Sequence, residues 1–176
     1  MSYCHLGHPQ LNRQKLNNKV RRLDAYSTLS VSKEVFEEFT RNYKPKKGDI
    51  VLSRVGSYGI SSYVETNEEF CMGQNTVVIQ SKIPPKFLYY ILNSKATWQQ
   101  IEDGSYGSGY KSLSLKNINE LVIALPTDLE QTAIANVLSN MDTELNALQQ
   151  RLAKTQQLKQ GMMQELLTGK TRLVAV

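Results

Sequence analysis

The amino-acid sequence predicts an α+β protein, with a small mixed-sheet domain followed by one long C-terminal helix that forms a coiled coil. Apolar, β-rich runs lie between residues 50 and 79, and shorter helical patterns flank them on both sides. A proline-free stretch of about forty residues follows residue 126. We therefore expect a folded domain over residues 1–126, a helix over 127–169 and a tail over 170–176.

The composition is that of a single folded domain. The chain has 176 residues, of which 40% are hydrophobic, and two cysteines. Its longest purely apolar stretch, residues 121–125, is far too short to span a bilayer, and two cysteines are too few for a disulfide scaffold. No apolar segment follows a basic start at the N-terminus. We expect a chain of the reducing cytoplasm that makes no membrane contact.

Short runs of apolar and β-branched residues predict the strands of a small sheet. Gly56 and Gly59 bracket a tight connection between the first two strands, and Pro126 ends the last one. The predicted strands are residues 50–55, 60–64, 76–79 and 121–125.

Helical periodicity predicts three short helices in the same domain. The first begins at Ser32, whose hydroxyl can cap it, and the second opens at Pro85, because proline is tolerated in a first turn. The third carries Trp98 and Ile101. Residues 1–28 show no clean periodicity, and their structure stays open.

The long helix has a defined start and end. Thr127 and Glu130 are spaced as a capping box, and Gly169 stands where a terminating glycine is expected. Apolar residues recur along the helix in steps of three and four, which is typical of a coiled-coil seam. We interpret the change of spacing near Thr155 as a stammer, a slip that overwinds the coil locally. The predicted seam consists of Leu138, Met141, Leu145, Leu148, Leu152, Leu158, Met162 and Leu166.

Packing of the long helix along its own domain is the alternative to a coiled coil. A helix of forty residues is about 60 Å long at 1.5 Å per residue, too long to be buried by so small a domain. We therefore favour a partner helix. The seam does not distinguish a second copy, an antiparallel helix or another subunit.

The positive charge is concentrated at the start of the chain. Residues 1–47 hold ten lysines and arginines against four acidic residues, whereas residues 48–176 hold eleven against twelve. Such an excess fits a polyanion such as nucleic acid, and it also fits a solvated basic surface.

Two groups of residues are candidate nucleic-acid contacts. Lysine, tyrosine and arginine side chains near a strand end or a glycine-rich loop can reach phosphates, base edges or base faces. Each also fits an ordinary surface position. The first group is Lys46, Lys47, Arg54, Ser57 and Tyr58, and the second, on the predicted loop 104–111, is Tyr106, Tyr110 and Lys111.

No pattern in the sequence supports catalysis or a bound cofactor. Cys4, His5 and His8 are metal-ligand types, but they are terminal and lack a second ligand cluster, and Cys71 is isolated. The glycine-rich loop lacks a nucleotide-binding motif, and no set of side chains suggests a nucleophile with its base. We expect a protein without metal, cofactor or enzymatic activity.

In this order, these elements resemble the DNA-specificity subunit of type I restriction-modification enzymes. The resemblance is collinear over about residues 31–172 and is strongest at Glu130-Gln131 with Ile134-Ala135, and over residues 158–170. It also rests on residues 47–54 with Gly56 and Gly59, on residues 85–92, and on residues 112–114 running into 121–126.

The resemblance implies a target-recognition domain that reads one part of a bipartite site in double-stranded DNA. It also implies a helix that packs as a coiled coil and docks methyltransferase subunits. Because the full family protein holds two such units, we expect a half-length or N-terminally truncated form, two copies of which would imitate the whole. A truncated assembly or inhibitory module, which pairs with an intact subunit without reading DNA, is the other hypothesis.

Overall fold

The computed structural model describes residues 4–6, 30–56, 58–65, 67–105 and 112–174. The chain forms two compact units, Met1–Asn136 and Val137–Val176.

The described residues of the first unit form two three-stranded sheets, where the sequence predicted one. One sheet is mixed and has the strand order β2-β1-β5, with β1 antiparallel to β2 and parallel to β5. The other is antiparallel and has the order β4-β3-β6. The strands are β1 (Cys4–Leu6), β2 (Ser30–Val31), β3 (Ile50–Ser53), β4 (Ser61–Tyr63), β5 (Phe70–Cys71) and β6 (Thr76–Ile79).

The central strand β3 organises the core of the first unit. All four of its residues are buried, which explains an apolar run without polar alternation. Successive side chains point to opposite faces. Ile50 and Leu52 pack in clusters with residues of the helices, whereas Val51 packs with Val64 and Phe70.

The described part of this unit has four short helices, and serine side chains cap the start of three of them. Ser32, Ser94 and Ser114 each accept a hydrogen bond from a main-chain N–H three residues later. The helices predicted around residues 32–40, 85–92 and 98–101 are confirmed, and the last of these starts at Lys95. The bounds are α1 (Lys33–Thr40), α2 (Pro85–Leu92), α3 (Lys95–Asp103) and α4 (Leu115–Asn119).

The predicted strand at residues 121–125 is wrong. Gln100 in α3 donates from Nε2 to the Val122 carbonyl at 2.8 Å, and its Oε1 accepts from the Val122 N–H at 2.9 Å. One side-chain amide therefore satisfies the main-chain groups that a neighbouring strand would have paired. The Val122 side chain is 77% exposed, so the apolar run here does not mark a buried strand.

The long helix α5 spans Asp128–Leu167 and is continuous. Thr127 Oγ1 accepts from the Glu130 N–H at 3.4 Å, and Gln131 Nε2 donates to the Pro126 carbonyl at 2.8 Å. Because Gln131 and Ala135 are buried, the first turns of α5 form part of the first unit. Beyond the helix, Gly169 has a φ of 70°, as a terminating glycine requires.

The stammer interpretation of α5 is wrong, because the heptad register is kept throughout. Met162 lies three heptads after Met141, and Leu166 lies four heptads after Leu138. Thr155 and Lys159 occupy the two seam positions between Leu152 and Met162, and Leu158 lies beside the seam. The break in the apolar pattern comes from polar residues at seam positions and involves no insertion or deletion.

Two adjacent serines in β4 give a matched test of buried hydrogen bonding. Ser61 and Ser62 are both fully buried; Asn93 Nδ2 donates to Ser61 Oγ at 2.6 Å, whereas Ser62 Oγ has no partner in the part of the chain that the structure describes. We expect Ser62→Ala to raise the free energy of unfolding by about 1 kcal/mol, because an unsatisfied hydroxyl is removed. Ser61→Ala should lower it by about 1–2 kcal/mol, because the Asn93 amide, which also donates to the Tyr89 carbonyl at 2.8 Å, loses its Ser61 acceptor.

Urea unfolding of the two variants beside the unchanged chain measures both effects. Equal destabilisation by the two substitutions would show that the Ser62 hydroxyl is satisfied in solution.

Candidate nucleic-acid interface and helix seam

Three connections of the first unit meet where β3 ends. The Arg54 N–H donates to the Asn75 carbonyl at 2.8 Å, and the Leu113 N–H donates to the Arg54 carbonyl at 2.8 Å. Val55 and Ser112 form an isolated antiparallel bridge. These contacts join the chain after β3, the turn before β6 and the segment before α4 into one surface. We call residues 54–56, 58–60, 72–75 and 112–113 the loop end.

Arg54 is the residue that links these connections. In addition to its main-chain bonds, its Nε donates to the Leu113 carbonyl at 3.1 Å, and Leu113 is 1% exposed. A guanidinium that holds a buried main-chain carbonyl fixes the position of residues 112–113 relative to β3. The predicted contact residue Arg54 therefore lies at the loop end and positions it.

Tyr58 contributes to packing at the loop end. It is only 4% exposed; its hydroxyl donates to Glu102 Oε1 at 2.6 Å, and its ring stacks on Trp98 at a centroid distance of 5.9 Å. Gly59 follows with a φ of 74° and no room for a side chain. Tyr58 was predicted to contact nucleic acid because its position in a turn suggested an exposed side chain. Its burial removes it from the proposed contacts.

Lys46 and Lys47 lie at the opposite end of β3. Both side chains are exposed, and the turn that carries them is fixed by Asp49, whose Oδ2 accepts from the Lys46 N–H at 2.8 Å. The four residues of β3 separate the lysine turn from the loop end, and they extend over about 13 Å at 3.3 Å per residue. The structure therefore does not bring these lysines together with the loop end.

A buried hydrogen bond stabilises this lysine turn. Tyr43 donates from its hydroxyl to Asp49 Oδ2 at 2.7 Å, and Asp49 is 4% exposed. Burial raises the pKa of Tyr43 to about 12, and the Asp49 carboxylate raises it too. The phenol consequently stays protonated at neutral pH and keeps its bond to Asp49, so the two lysines stand on a fixed turn.

Four of the predicted contacts, Ser57, Tyr106, Tyr110 and Lys111, lie outside the described residues. The described residues Gly104 and Ser112, at the two ends of the predicted loop 104–111, are fixed by contacts with other segments. Asn117 Nδ2 donates to the Gly104 carbonyl at 2.6 Å, and Ser112 pairs with Val55.

The sequence analysis missed three side-chain amides that bind main-chain groups, those of Asn117, Gln100 and Gln131. In a sequence, such polar residues cannot be told from ordinary surface residues.

The structure assigns no metal site or membrane span to the described residues. No three potential ligand side chains of His, Cys, Asp or Glu lie together among them. Cys71 is buried and forms no disulfide with a described residue, and His8 lies outside the described part of the chain. Within that same part, every helix is too short or too polar to cross a bilayer.

The seam of α5 is uncovered. The seam residues Met141, Leu148, Leu152 and Met162 are between 46% and 57% exposed, and Leu138, Leu145 and Leu166 are half-buried. Leu158, beside the seam, is 65% exposed. Leucine and methionine in a row at heptad spacing are an interaction surface when nothing covers them. The second unit thus presents a helix face suited to another helix.

Comparison with known proteins finds a family described as the type I restriction modification DNA specificity domain, whose model matches residues 7–160. A putative type I restriction enzyme specificity subunit of Haemophilus influenzae is 28% identical over 142 residues, 78% of this chain and 34% of that protein. The putative MjaX specificity subunit of Methanocaldococcus jannaschii is 25% identical over 174 residues, 89% and 40% of the two chains. This chain spans about a third to two-fifths of these relatives.

Two solved structures share the fold. The S subunit of a type I restriction-modification system from M. genitalium is 27% identical, with a TM-score of 0.56, over 68% of this chain and 32% of that one. A chain from a study of complex assembly and conformational transition of the type I R-M system has a TM-score of 0.58. It is 17% identical over 76% of this chain and 36% of that one, which supports the fold alone.

Proposed function

Because this chain belongs to the type I restriction modification DNA specificity domain family, we propose that it reads one part of a bipartite DNA site for a methyltransferase complex. The observation that carries the proposal is the extent of the family match, which runs through the first unit and most of α5. The match therefore covers both the unit that we propose reads DNA and the helix that we propose docks the methyltransferase. The catalytic residues would come from the methyltransferase subunit.

For DNA, we propose that the two ends of β3 have different roles, one in sequence preference and the other in general affinity. The loop end brings three connections together and fixes them by main-chain bonds, which is the rigid support that base readout requires. Lys46 and Lys47 are exposed on a fixed turn at the other end of β3, a position suited to phosphate contacts. The loop end would set the sequence preference, and the lysines would set general affinity.

For assembly, we propose that the exposed seam of α5 binds methyltransferase subunits and a second copy of this chain. Its exposed leucines and methionines support a helical partner. Two copies related by a two-fold axis would read the same half-site twice, so the target would be an inverted repeat.

Co-expression with the methyltransferase subunit tests the whole proposal. The mass of the purified complex should correspond to both subunits, and sequencing of DNA from the producing cells should show methylation at one defined inverted repeat. A complex that assembles but methylates no defined site would instead support the assembly or inhibitory module.

Two sets of alanine substitutions should separate general affinity from sequence preference. Lys46→Ala with Lys47→Ala should weaken binding to all sequences about equally and reduce the slope of log affinity against log salt by about 2, since each phosphate contact contributes about 0.9. Tyr106, Tyr110 and Lys111 come shortly before Ser112 of the loop end in the sequence, and we include them in the proposed base-reading surface. Replacing all three by alanine should flatten the preference between target and non-target DNA.

Titration of both DNAs into the assembled complex at several salt concentrations makes these measurements. A loss of sequence preference in the double lysine variant would contradict the proposed division.

A further inference from the structure

The turn before β6 presents an exposed asparagine at the loop end. Thr76 donates twice to the Gly73 carbonyl, from its main-chain N–H at 3.2 Å and from its hydroxyl at 2.7 Å. The Asn75 carbonyl accepts from the Arg54 N–H at 2.8 Å. Asn75 therefore belongs to a turn whose main chain is fixed by hydrogen bonds, whereas its side chain is exposed.

The side-chain amide of Asn75 has both a donor and an acceptor available, since no described residue forms a hydrogen bond with it. Other amides of this unit bind groups within the protein, as those of Asn93, Gln100 and Asn117 do. In the major groove, adenine offers an acceptor at N7 beside a donor at N6, and an asparagine amide can bind both at once. The other three bases offer no such pair, so the amide of Asn75 fits adenine.

Arg54 places a cation beside this amide. Ser53 pairs with Thr76 at the ends of β3 and β6. The next residues, Arg54 and Asn75, are therefore opposite each other on the same face of the sheet, where Cβ atoms are about 4.5–5.5 Å apart. Arg54 binds the Leu113 carbonyl through Nε, and its two outer nitrogens are neither buried nor bound by a described residue.

The charge around Asn75 favours an anionic ligand. None of the residues that define the loop end is acidic, and Arg54 adds one positive charge. A cation beside an uncharged amide attracts the DNA backbone and leaves the amide free to bind a base edge.

We propose that Asn75 is a specificity-determining residue that reads an adenine of the DNA site through its side-chain amide. This rests on the DNA reading proposed above and assigns one base of the site to one residue. Because the turn is already fixed, the amide loses little conformational freedom when it binds.

Two substitutions at Asn75 test the assignment in the complex co-expressed with the methyltransferase subunit. Asn75→Ala removes the amide, whereas Asn75→Asp keeps its size but replaces the donor by an acceptor, which opposes N7 of adenine. Both variants keep the main-chain carbonyl that binds Arg54, and the side chain has no described partner to lose. Both complexes should therefore assemble.

Sequencing of methylated DNA defines the site, and titration of the purified complex with that site and with each single base-pair change gives the preference at every position. In both Asn75 variants, the preference at one A·T pair should fall by roughly five- to a hundredfold, the discrimination of one bidentate contact. The preferences at the other positions should be kept.

Asn67→Ala is the matched control. Asn67 is also exposed and lies outside the helices and strands, but it follows Val64, whose carbonyl binds the Gly48 N–H beside the lysine turn. This variant removes the same amide from the opposite end of β3, so its preference should be unchanged at every position.

The outcomes separate this inference from the proposed function. An unchanged preference in both Asn75 variants would overturn the inference, as would a loss of preference at a G·C pair or the same loss in the Asn67 variant. A complex of the unchanged chain that methylates no defined site would overturn the proposed DNA reading itself.

Discussion

Replacing Leu145 and Leu152 by aspartate is expected to make the chain monomeric while the first unit stays folded. Burial of a leucine contributes about 1.5–3 kcal/mol, and a two-fold pair buries each of these residues twice. The summed loss of at least about 5 kcal/mol corresponds to roughly four orders of magnitude in the dissociation constant. Both leucines belong to the second unit, outside the core of the first.

Sedimentation equilibrium measures the association, and circular dichroism measures the fold. Gln150→Asp with Gln157→Asp is the matched control, because it adds the same two charges to the same helix at exposed positions off the seam. That control should still associate. A full-strength dimer in the Leu145 and Leu152 variant would show that another surface holds the copies together.

Gly59→Ala should be the most destabilising small change in the first unit. An added Cβ would stand 2.8 Å from Ile101 Cγ2 and 2.9 Å from Trp98 Cζ3, and the residue has a φ of 74°, where alanine is strained. We expect the free energy of unfolding to fall by about 2–4 kcal/mol, from backbone strain together with overpacking. A shift of Trp98 should also disturb the packing of Tyr58, whose ring stacks on it.

Gly56→Ala separates the two causes in this prediction. Gly56 has the same φ of 74° but open space where a Cβ would stand. Gly56→Ala should therefore lower the free energy of unfolding through backbone strain alone, by about 1 kcal/mol. Urea unfolding of both variants measures the two changes in the free energy of unfolding. Equal decreases would show that Ile101 and Trp98 shift to accommodate the added methyl group without a loss of stability.

The same loop end shows where sequence-based prediction stops. Arg54 and Leu113 are 59 residues apart in the chain, yet they share a side-chain bond and a main-chain bond. Hydrophobic periodicity reports which face of a segment is buried, but it does not identify the partner. The burial of Tyr58 against Trp98 and Glu102 could not be predicted for the same reason.

Short elements were missed for a related reason. Strands β1, β2 and β5 have two or three residues each, too few for a period of two to be recognised. Helix α4 has five residues. Conversely, the apolar run at residues 121–125 predicted a strand that does not form. The Gln100 side-chain amide binds the Val122 N–H and carbonyl, which a neighbouring strand would otherwise have paired.

The sequence by itself determined the α+β class, helices α1, α2, α3 and α5, strands β3, β4 and β6, and the seam on α5. These features depend on caps, glycines and periodic apolar positions, whose physical effects act within a few residues along the chain. Only the tertiary structure decided that Arg54 positions the loop end, that Tyr58 is buried and that Lys46 and Lys47 lie at the other end of β3. Those facts depend on which distant segments pair, and the free energy of that pairing is shared among residues far apart in sequence.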